Sequence, residues 1–176
     1  SLAAAIDTGA IRPTDTYVNT DSIKVEDRVI NNALKGHTGT LTFQQVLNLS
    51  LNTGTVTAFK RMGNGNNITK EARQTVYSYF HDRFGLGRKT GIELTGEVPG
   101  MVISPEEQEG NAVRYSNMSF GQGLYPTMIQ AVSGYSALVN GGKYFQPTVV
   151  AGVVDNNGKY VQDAVKAGEQ IIKEST

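Results

Sequence analysis

The sequence predicts a mainly helical α+β fold with a small amount of sheet. Apolar residues recur at helical spacing in several segments, and most of these begin at a capping residue or end at glycine. One strong hairpin signal, Asp155-Asn156-Asn157-Gly158, lies between two β-branched runs. No linker composition divides the 176 residues, so we expect a single structural unit over residues 1–176.

The first predicted helices come early in the chain. Residues 1–7 have the pattern of the last turns of a helix that ends at Gly9. Thr42 and Gln45 form a capping-box pattern, which predicts a helix of about two turns that ends near Ser50. Ser50-Leu51-Asn52 is therefore expected at a helix end.

Three more helices follow. Residues 56–62 carry apolar side chains three apart and stop at Gly63. Residues 69–83 predict a helix with Thr69 as its N-cap and an inward face of Val76, Tyr79 and Phe80, and residues 127–139 predict another. We expect the following side chains in the core: Phe59, Phe80, Tyr135 and Leu138.

The remaining segments predict loops and short strands. Residues 11–35 are expected to be mostly loop, with brief extended pieces at 17–18 and 23–25. A short strand is predicted around residues 92–94, and residues 149–154 and 159–161 should pair as a hairpin. Residues 169–176 have the pattern of the start of a further helix.

Composition excludes several classes of function. Sixteen basic residues balance sixteen acidic ones and no basic run stands out, so nucleic-acid binding is disfavoured. The chain has no cysteine and only two histidines, His37 and His81, which argues against a metal site and against thiolate chemistry. No cofactor is predicted.

Three segments carry more specific information. Residues 39–54 lead through the predicted helix to Ser50-Leu51-Asn52-Thr53-Gly54. Residues 84–97 contain Phe84-Gly85-Leu86-Gly87 and then Thr90-Gly91-Ile92-Glu93-Leu94-Thr95-Gly96-Glu97. Residues 119–131 begin with Ser119-Phe120-Gly121-Gln122-Gly123, and Asn140-Gly141-Gly142 and Pro147 follow. In this order they resemble three stretches of class B penicillin-binding proteins, the first being the helix and S-x-N turn.

The resemblance implies a fold and a chemistry. The fold would be the helical part of a penicillin-binding or serine β-lactamase-like transpeptidase domain, truncated at both ends. In the family, a serine of S-x-x-K attacks a D-Ala-D-Ala carbonyl, and the acyl-enzyme passes to an amine or water. Residues 1–176 contain no S-x-x-K motif, and the family's K-[ST]-G strand is expected after the last residue. We therefore expect a partial transpeptidase domain that is inactive by itself.

Lys89-Thr90-Gly91 spells the K-T-G motif by coincidence. It follows Asn52 by only 37 residues and lies inside the segment that resembles a structural turn of the family. We expect it to be structural.

Ser50 and Asn52 are the predicted catalytic residues, and Asn52, Thr53 and Gly54 are predicted to bind substrate. A hydroxyl donates and accepts, so Ser50 can pass a proton between an amine and a leaving nitrogen. The amide of Asn52 can hold the peptide backbone of a donor. Ser50 as the end of one helix and Asn52 as the cap of the next is the structural alternative, and both roles are compatible.

The resemblance also implies ligands and a location. The intact protein would bind peptidoglycan stem peptides and β-lactams at the outer face of the bacterial cell membrane. A piece lacking part of its sheet would associate with itself or with a complementing chain. Two rival functions stay open. One is a non-catalytic module that binds peptidoglycan or a partner protein, and the other is a serine β-lactamase or antibiotic sensor.

Overall fold

The computed structural model describes residues 1–164 and 166–176. Its residues form two compact units. The first unit consists of Ser1–Tyr79, Ile103–Leu124 and Thr176, and the second consists of Phe80–Val102 and Tyr125–Ser175. The single structural unit expected from the sequence stays a prediction.

The helices confirm most of the predicted ones. In chain order they are α1 (Leu2–Asp7), α2 (Phe43–Leu49), α3 (Asn52–Met62), α4 (Lys70–Tyr77), α5 (Ala112–Met118) and α6 (Met128–Val139). A π-helical segment, Ser78–Arg83, continues directly from α4. Only α5 has no counterpart in the prediction, because its short apolar stripe lies between two loops rich in glycine and charge.

The strands are short and pair two by two. They are β1 (Thr16–Asn19), β2 (Ser22–Val25), β3 (Arg28–Asn31), β4 (Gly39–Thr42), β5 (Lys143–Tyr144), β6 (Gly152–Val154), β7 (Tyr160–Gln162) and β8 (Glu169–Gln170). β1 pairs with β4, β2 with β3, β5 with β8 and β6 with β7, all antiparallel. The predicted hairpin around Gly158 is confirmed as β6–β7.

Two predictions about local structure were wrong and a third was incomplete. The extended pieces predicted at 17–18 and 23–25 lie within β1 and β2, but β3 was not expected in this stretch, since pairing partners override weak local propensity. Residues 92–94 form a tight turn, in which the Leu94 N–H donates to the Ile92 carbonyl at 2.8 Å. The chain after residue 168 forms β8 and a turn instead of a helix.

The first unit is built around α3. Val56, Ala58 and Phe59 of this helix are fully buried. The stacked rings of Tyr17 and Phe43, with centroids 5.7 Å apart, lie in the adjoining apolar cluster. Burying side chains of this size stabilises a fold by about 1.5–3 kcal/mol each, so α3 is held firmly from several sides.

The second unit packs loops against α6. Thr127 caps this helix and forms a capping box with Gln130. The Gln130 side chain is fully buried, and its Nε2 donates to the carbonyl oxygens of Arg88 and Pro99. The helix thereby fixes the glycine-rich segment that precedes it in sequence.

The core prediction was right for two side chains and wrong for two. Phe59 and Phe80 are buried, whereas Tyr135 and Leu138 are 72% and 42% exposed on α6. Helical spacing identifies an apolar face, but it does not reveal whether another element covers that face. Among residues 1–164 and 166–176, no helix has the length and apolar character needed to cross a bilayer.

Candidate active site

The predicted S-x-N segment forms the junction between α2 and α3. The capping box of Thr42 and Gln45 begins α2, as predicted, and Ser50 ends it in the left-handed conformation with φ 53° and ψ 52°. The residue after it, Leu51, is extended and only 1% exposed, whereas Ser50 is exposed. A serine with positive φ is uncommon and costs conformational energy, so Ser50 is not the residue that local backbone stability favours at this junction.

Asn52 begins α3 with its side chain held at one point. Its Nδ2 donates to the carbonyl oxygen of Asn31 at 2.9 Å, and its backbone carbonyl accepts from the Thr55 hydroxyl at 2.9 Å. Within the described residues, the second N–H of this amide and its Oδ1 make no hydrogen bond, and neither does the Ser50 hydroxyl. Ser50 and Asn52 therefore offer both donors and acceptors to a ligand.

A small cavity of about 120 Å³ lies beside the junction, in the first unit. Its lining includes Ser50, Asn52 and Thr55, together with Leu2 of α1 and Phe120. Ser119 reaches the same place because its hydroxyl donates to that of Thr55 at 3.1 Å. The structure thus joins the first of the three motif segments to the start of the third, and both border the amino-terminal end of α1.

Thr53 and Gly54 lie on the inner side of α3. Thr53 is 2% exposed, and its hydroxyl contacts the Oδ1 atoms of Asn19 and Asn32 at 2.8 and 3.1 Å. Gly54 is buried against Val46 of α2. Both residues support the junction from behind, whereas Ser50 and Asn52 line the cavity.

The comparison with known proteins decides the family. The model for the penicillin-binding protein transpeptidase domain matches residues 1–176. The chain belongs to this family. It is 31% identical to stage V sporulation protein D of Bacillus subtilis over 179 residues, covering 100% of this chain and 26% of that protein. It is 25% identical to penicillin-binding protein PbpB of Mycolicibacterium smegmatis, covering 100% of this chain and 25% of that protein.

Solved structures show the same fold. Penicillin-binding protein 3 of Mycobacterium tuberculosis, complexed with aztreonam, matches with a TM-score of 0.82 at 24% identity, over 98% of this chain and 36% of that one. The transpeptidase domain of Burkholderia pseudomallei penicillin-binding protein 3 matches with a TM-score of 0.79 at 17% identity, over 99% of this chain and 46% of that one. The chain spans about a quarter of the length of the curated relatives named above.

The K-T-G triplet of this penicillin-binding transpeptidase domain lies in a loop of the second unit. The carboxylate of Glu97 accepts from the backbone N–H of Thr90, from the Thr90 hydroxyl, and from the N–H of Gly91. These bonds hold the pKa of Glu97 below its ordinary value, the side-chain bond from Thr90 being the largest cause. The triplet therefore binds a carboxylate of its own chain.

A cavity of about 340 Å³ in the second unit is lined partly by Glu93, Phe145 and Lys166. The carboxylate of Glu93 already has hydrogen-bond partners, because it accepts from the Thr148 hydroxyl and from the Val149 N–H. The described part of the chain has no cluster of three or more His, Cys, Asp or Glu that could hold a metal ion.

Sequence reasoning missed the polar residues behind the S-x-N junction. Asn19, Asp21 and Asn32 are 1%, 9% and 4% exposed, and they form hydrogen bonds with one another and with Thr53. The sequence places them in a stretch rich in Asn, Asp and Thr, which is typical of surface loops. The available signal was spacing: Asn19 lies two residues after Tyr17 and Asn32 two residues after Ile30, so in a strand each would face the same side as a large apolar residue.

Proposed function

We propose that residues 1–176 supply one wall of the active site of a peptidoglycan D,D-transpeptidase. In this site Ser50 relays a proton and Asn52 holds the acyl donor. The observation that carries the proposal is the junction itself, where two side chains with free polar atoms flank the buried Leu51 and line one cavity.

The chemistry follows from the free atoms. A serine hydroxyl can accept a proton from one group while it donates its own to another, so Ser50 can carry a proton between a lysine amine and a leaving nitrogen without becoming charged. The free N–H and Oδ1 of Asn52 match the carbonyl and N–H of an extended peptide. Its bond to the Asn31 carbonyl holds the amide in place, and a held group loses less entropy when the substrate binds.

Other segments would supply the remaining groups. The nucleophilic serine and its lysine belong to an S-x-x-K segment, which residues 1–176 do not contain. In the family this motif immediately precedes the helix that α1 resembles. Leu2, at the start of α1, borders the cavity of Ser50 and Asn52, so a serine carried just before α1 would come close to that hydroxyl. The K-[ST]-G strand would complete the oxyanion hole.

The substrates and the place of action follow from the family. The acyl donor would be a peptidoglycan stem peptide that ends in D-Ala-D-Ala, and β-lactams would acylate the same serine. Peptidoglycan is assembled outside the cytoplasmic membrane, so we place the protein there. By themselves, residues 1–176 should bind substrate weakly at most and should not react.

Covalent labelling with a fluorescent penicillin tests the proposal. The protein used in this test is the polypeptide that carries these residues together with S-x-x-K and K-[ST]-G segments. Ser50→Ala and Asn52→Ala should each lower the second-order acylation rate by about 100-fold, the scale of losing a proton relay or a substrate-orienting bond. Asn48→Ala is the matched control, because Asn48 is exposed on α2 and, among the described residues, its side chain bonds only to Gln44.

Two results would contradict the proposal. If Ser50→Ala and Asn52→Ala both acylate at the rate of the Asn48→Ala control, the junction is not part of the site. If residues 1–176 alone form a covalent penicillin adduct that survives denaturing electrophoresis, a nucleophile lies within them.

A further inference from the structure

A buried polar cluster lies directly behind the S-x-N junction, in the first unit. It consists of Asn19, Asp21, Asn32 and Thr53, none more than 9% exposed. Buried polar side chains cost free energy unless their hydrogen bonds are satisfied, and satisfied networks hold a single geometry. The cluster therefore defines positions more sharply than an apolar core of the same size.

Asn32 takes over the capping of α3. The N-cap residue of this helix is Leu51, which has no side-chain oxygen, so the first N–H groups of the helix need another partner. The Oδ1 of Asn32 accepts from the backbone N–H of Thr53 at 3.0 Å and from its hydroxyl at 3.1 Å. The preceding residue, Asn31, accepts from the Asn52 side chain. Asn31, the last residue of β3, and Asn32, directly after it, thus hold the first two residues of α3.

Asp21 and Asn19 determine which way the Asn32 amide points. Nδ2 of Asn32 donates to Oδ1 of Asp21 and to Oδ1 of Asn19, both at 3.1 Å. A carboxylate only accepts, so it must face the NH₂ end of the amide, and the oxygen end is left for Thr53. The reverse orientation would place an NH₂ group against the Thr53 N–H.

The carboxylate is fixed in turn by a neighbouring loop. The other oxygen of Asp21 accepts from the Gly36 N–H at 2.7 Å, and the Asn19 amide donates to the His37 carbonyl at 2.8 Å. The bond from Gly36 is the main cause that keeps the pKa of Asp21 below its ordinary value, with the bonds from Asn32 and Asn19 adding to it. The chain of contacts therefore runs from the loop through Asp21 and Asn32 to the first turn of α3.

We infer that Asn32, oriented by Asp21 and Asn19, is a positioning residue for the S-x-N site. It touches no substrate. Through the Thr53 N–H it fixes the first turn of α3, and with it the Asn52 amide and the Ser50 hydroxyl just before it. This inference rests on the proposed function, because positioning has meaning only if Ser50 and Asn52 take part in the reaction.

The first test compares Asn32→Ala with Tyr115→Phe in the polypeptide that carries all three motifs. Tyr115→Phe also removes a buried hydrogen bond of the first unit, the one from its hydroxyl to the Ile103 carbonyl at 2.9 Å, and that hydroxyl bonds to neither Ser50 nor Asn52. Acylation by a chromogenic β-lactam is resolved into a binding constant and a first-order acylation constant. Asn32→Ala should lower the acylation constant by about 10- to 100-fold, the cost of misplacing a catalytic group by about an ångström.

The second test uses Asn32→Asp, which keeps the shape and the oxygen that faces Thr53. The new carboxylate meets Asp21 where the amide donated before, at 3.1 Å. Two carboxylates this close share a proton, which can replace the missing N–H. Among the described residues, two other ionisable residues contact the cluster: Tyr17 through the Thr53 hydroxyl, and His37 through its backbone carbonyl. Acylation by Asn32→Asp, relative to the unchanged protein, should therefore be low at about pH 8 and recover toward about pH 5.

The outcomes separate the two proposals. Loss of acylation in Ser50→Ala and Asn52→Ala with no loss in folded Asn32→Ala would overturn this inference alone. A loss in Asn32→Ala no larger than in Tyr115→Phe, or a ratio for Asn32→Asp that does not depend on pH, would likewise show a merely structural role. No loss in any variant of Ser50 and Asn52 overturns the proposed function itself.

Discussion

Gly54 permits α2 and α3 to approach each other at the S-x-N junction. A Cβ atom added to Gly54 would lie 2.2 Å from Cγ2 and 2.6 Å from Cγ1 of Val46. Carbon atoms in contact normally lie about 3.5–4.0 Å apart, so Gly54→Ala forces a displacement of about 1.3 Å in a fully buried region. Val46 is 1% exposed, so it cannot turn out into solvent to avoid the added methyl group.

The cost can be estimated from two opposing terms. Alanine in place of glycine within a helix is worth about 1 kcal/mol in favour of folding. Overpacking a well-packed core costs about 1–3 kcal/mol and sometimes more, and here three atoms of Val46 would be closer than contact distance. We expect Gly54→Ala to lower the free energy of unfolding by about 2 kcal/mol, which corresponds to a fall in Tm of about 4–8 °C for a protein of this size.

Gly134→Ala is the matched control. Gly134 is a buried glycine inside α6, but its added Cβ would meet only Cδ1 of Phe84, at 3.5 Å, an ordinary contact. The same substitution should therefore be neutral or stabilising by up to about 1 kcal/mol. Urea unfolding followed by far-ultraviolet circular dichroism measures both variants, and Val46→Ala combined with Gly54→Ala should recover part of the loss because the clashing methyl groups are gone.

Two results would contradict the packing explanation for Gly54→Ala. If Gly54→Ala is as stable as Gly134→Ala while penicillin binding falls, then Gly54 matters for substrate contact, as predicted from the sequence, and not for packing. If Gly54→Ala is destabilised but Val46→Ala adds its own cost without any recovery, then the contact with Val46 is not its cause.

Three further predictions concern both units. Ser50→Gly should raise the free energy of unfolding by about 1 kcal/mol, because glycine adopts positive φ without a Cβ clash. The same substitution should lower the acylation rate of the polypeptide that carries all three motifs. Urea unfolding and penicillin labelling on the same samples test both effects. Glu97→Gln should lower the Tm at neutral pH. The folded-state pKa of Glu97 is depressed, so its stabilisation is present above the unfolded-state pKa and is lost as the pH falls through the folded-state pKa; melts of both proteins should converge at acidic pH. Gln130→Leu should destabilise the second unit by about 2 kcal/mol, since the carbonyl oxygens of Arg88 and Pro99 lose the donor that the Gln130 side chain provides, and faster amide exchange in α6 would show it.

Local signals predicted the helices and the family well. The capping boxes at Thr42 and Thr127 need only residues three apart, and both are present in the structure. The S-x-N junction follows from the first of them, because a helix of known start and length must end near Ser50. These features depend on neighbours in the chain, which is why a single sequence reveals them.

The sequence did not predict which strands pair over long distances in the chain. β1 pairs with β4, whose partner residues lie 20 to 26 positions along the chain, so residues 17–18 were predicted only as a brief extended piece and Gly39 to Thr42 was not predicted as a strand. The same is true of Tyr135 and Leu138, whose exposure depends on what packs against α6. A pattern shows which face of an element is apolar, but the partner of that face is a property of the whole fold.

By itself the sequence determined every described helix except α5, the junction at Ser50 to Asn52 and the resemblance to a penicillin-binding transpeptidase family. Tertiary structure alone decided that Thr53 faces a buried cluster and that Asn32 caps the helix on which Asn52 lies. The physical reason is the orientation of hydrogen bonds. An asparagine in a polar stretch can be a solvated loop residue or a buried cap, and only the position of a donor 21 residues away distinguishes the two.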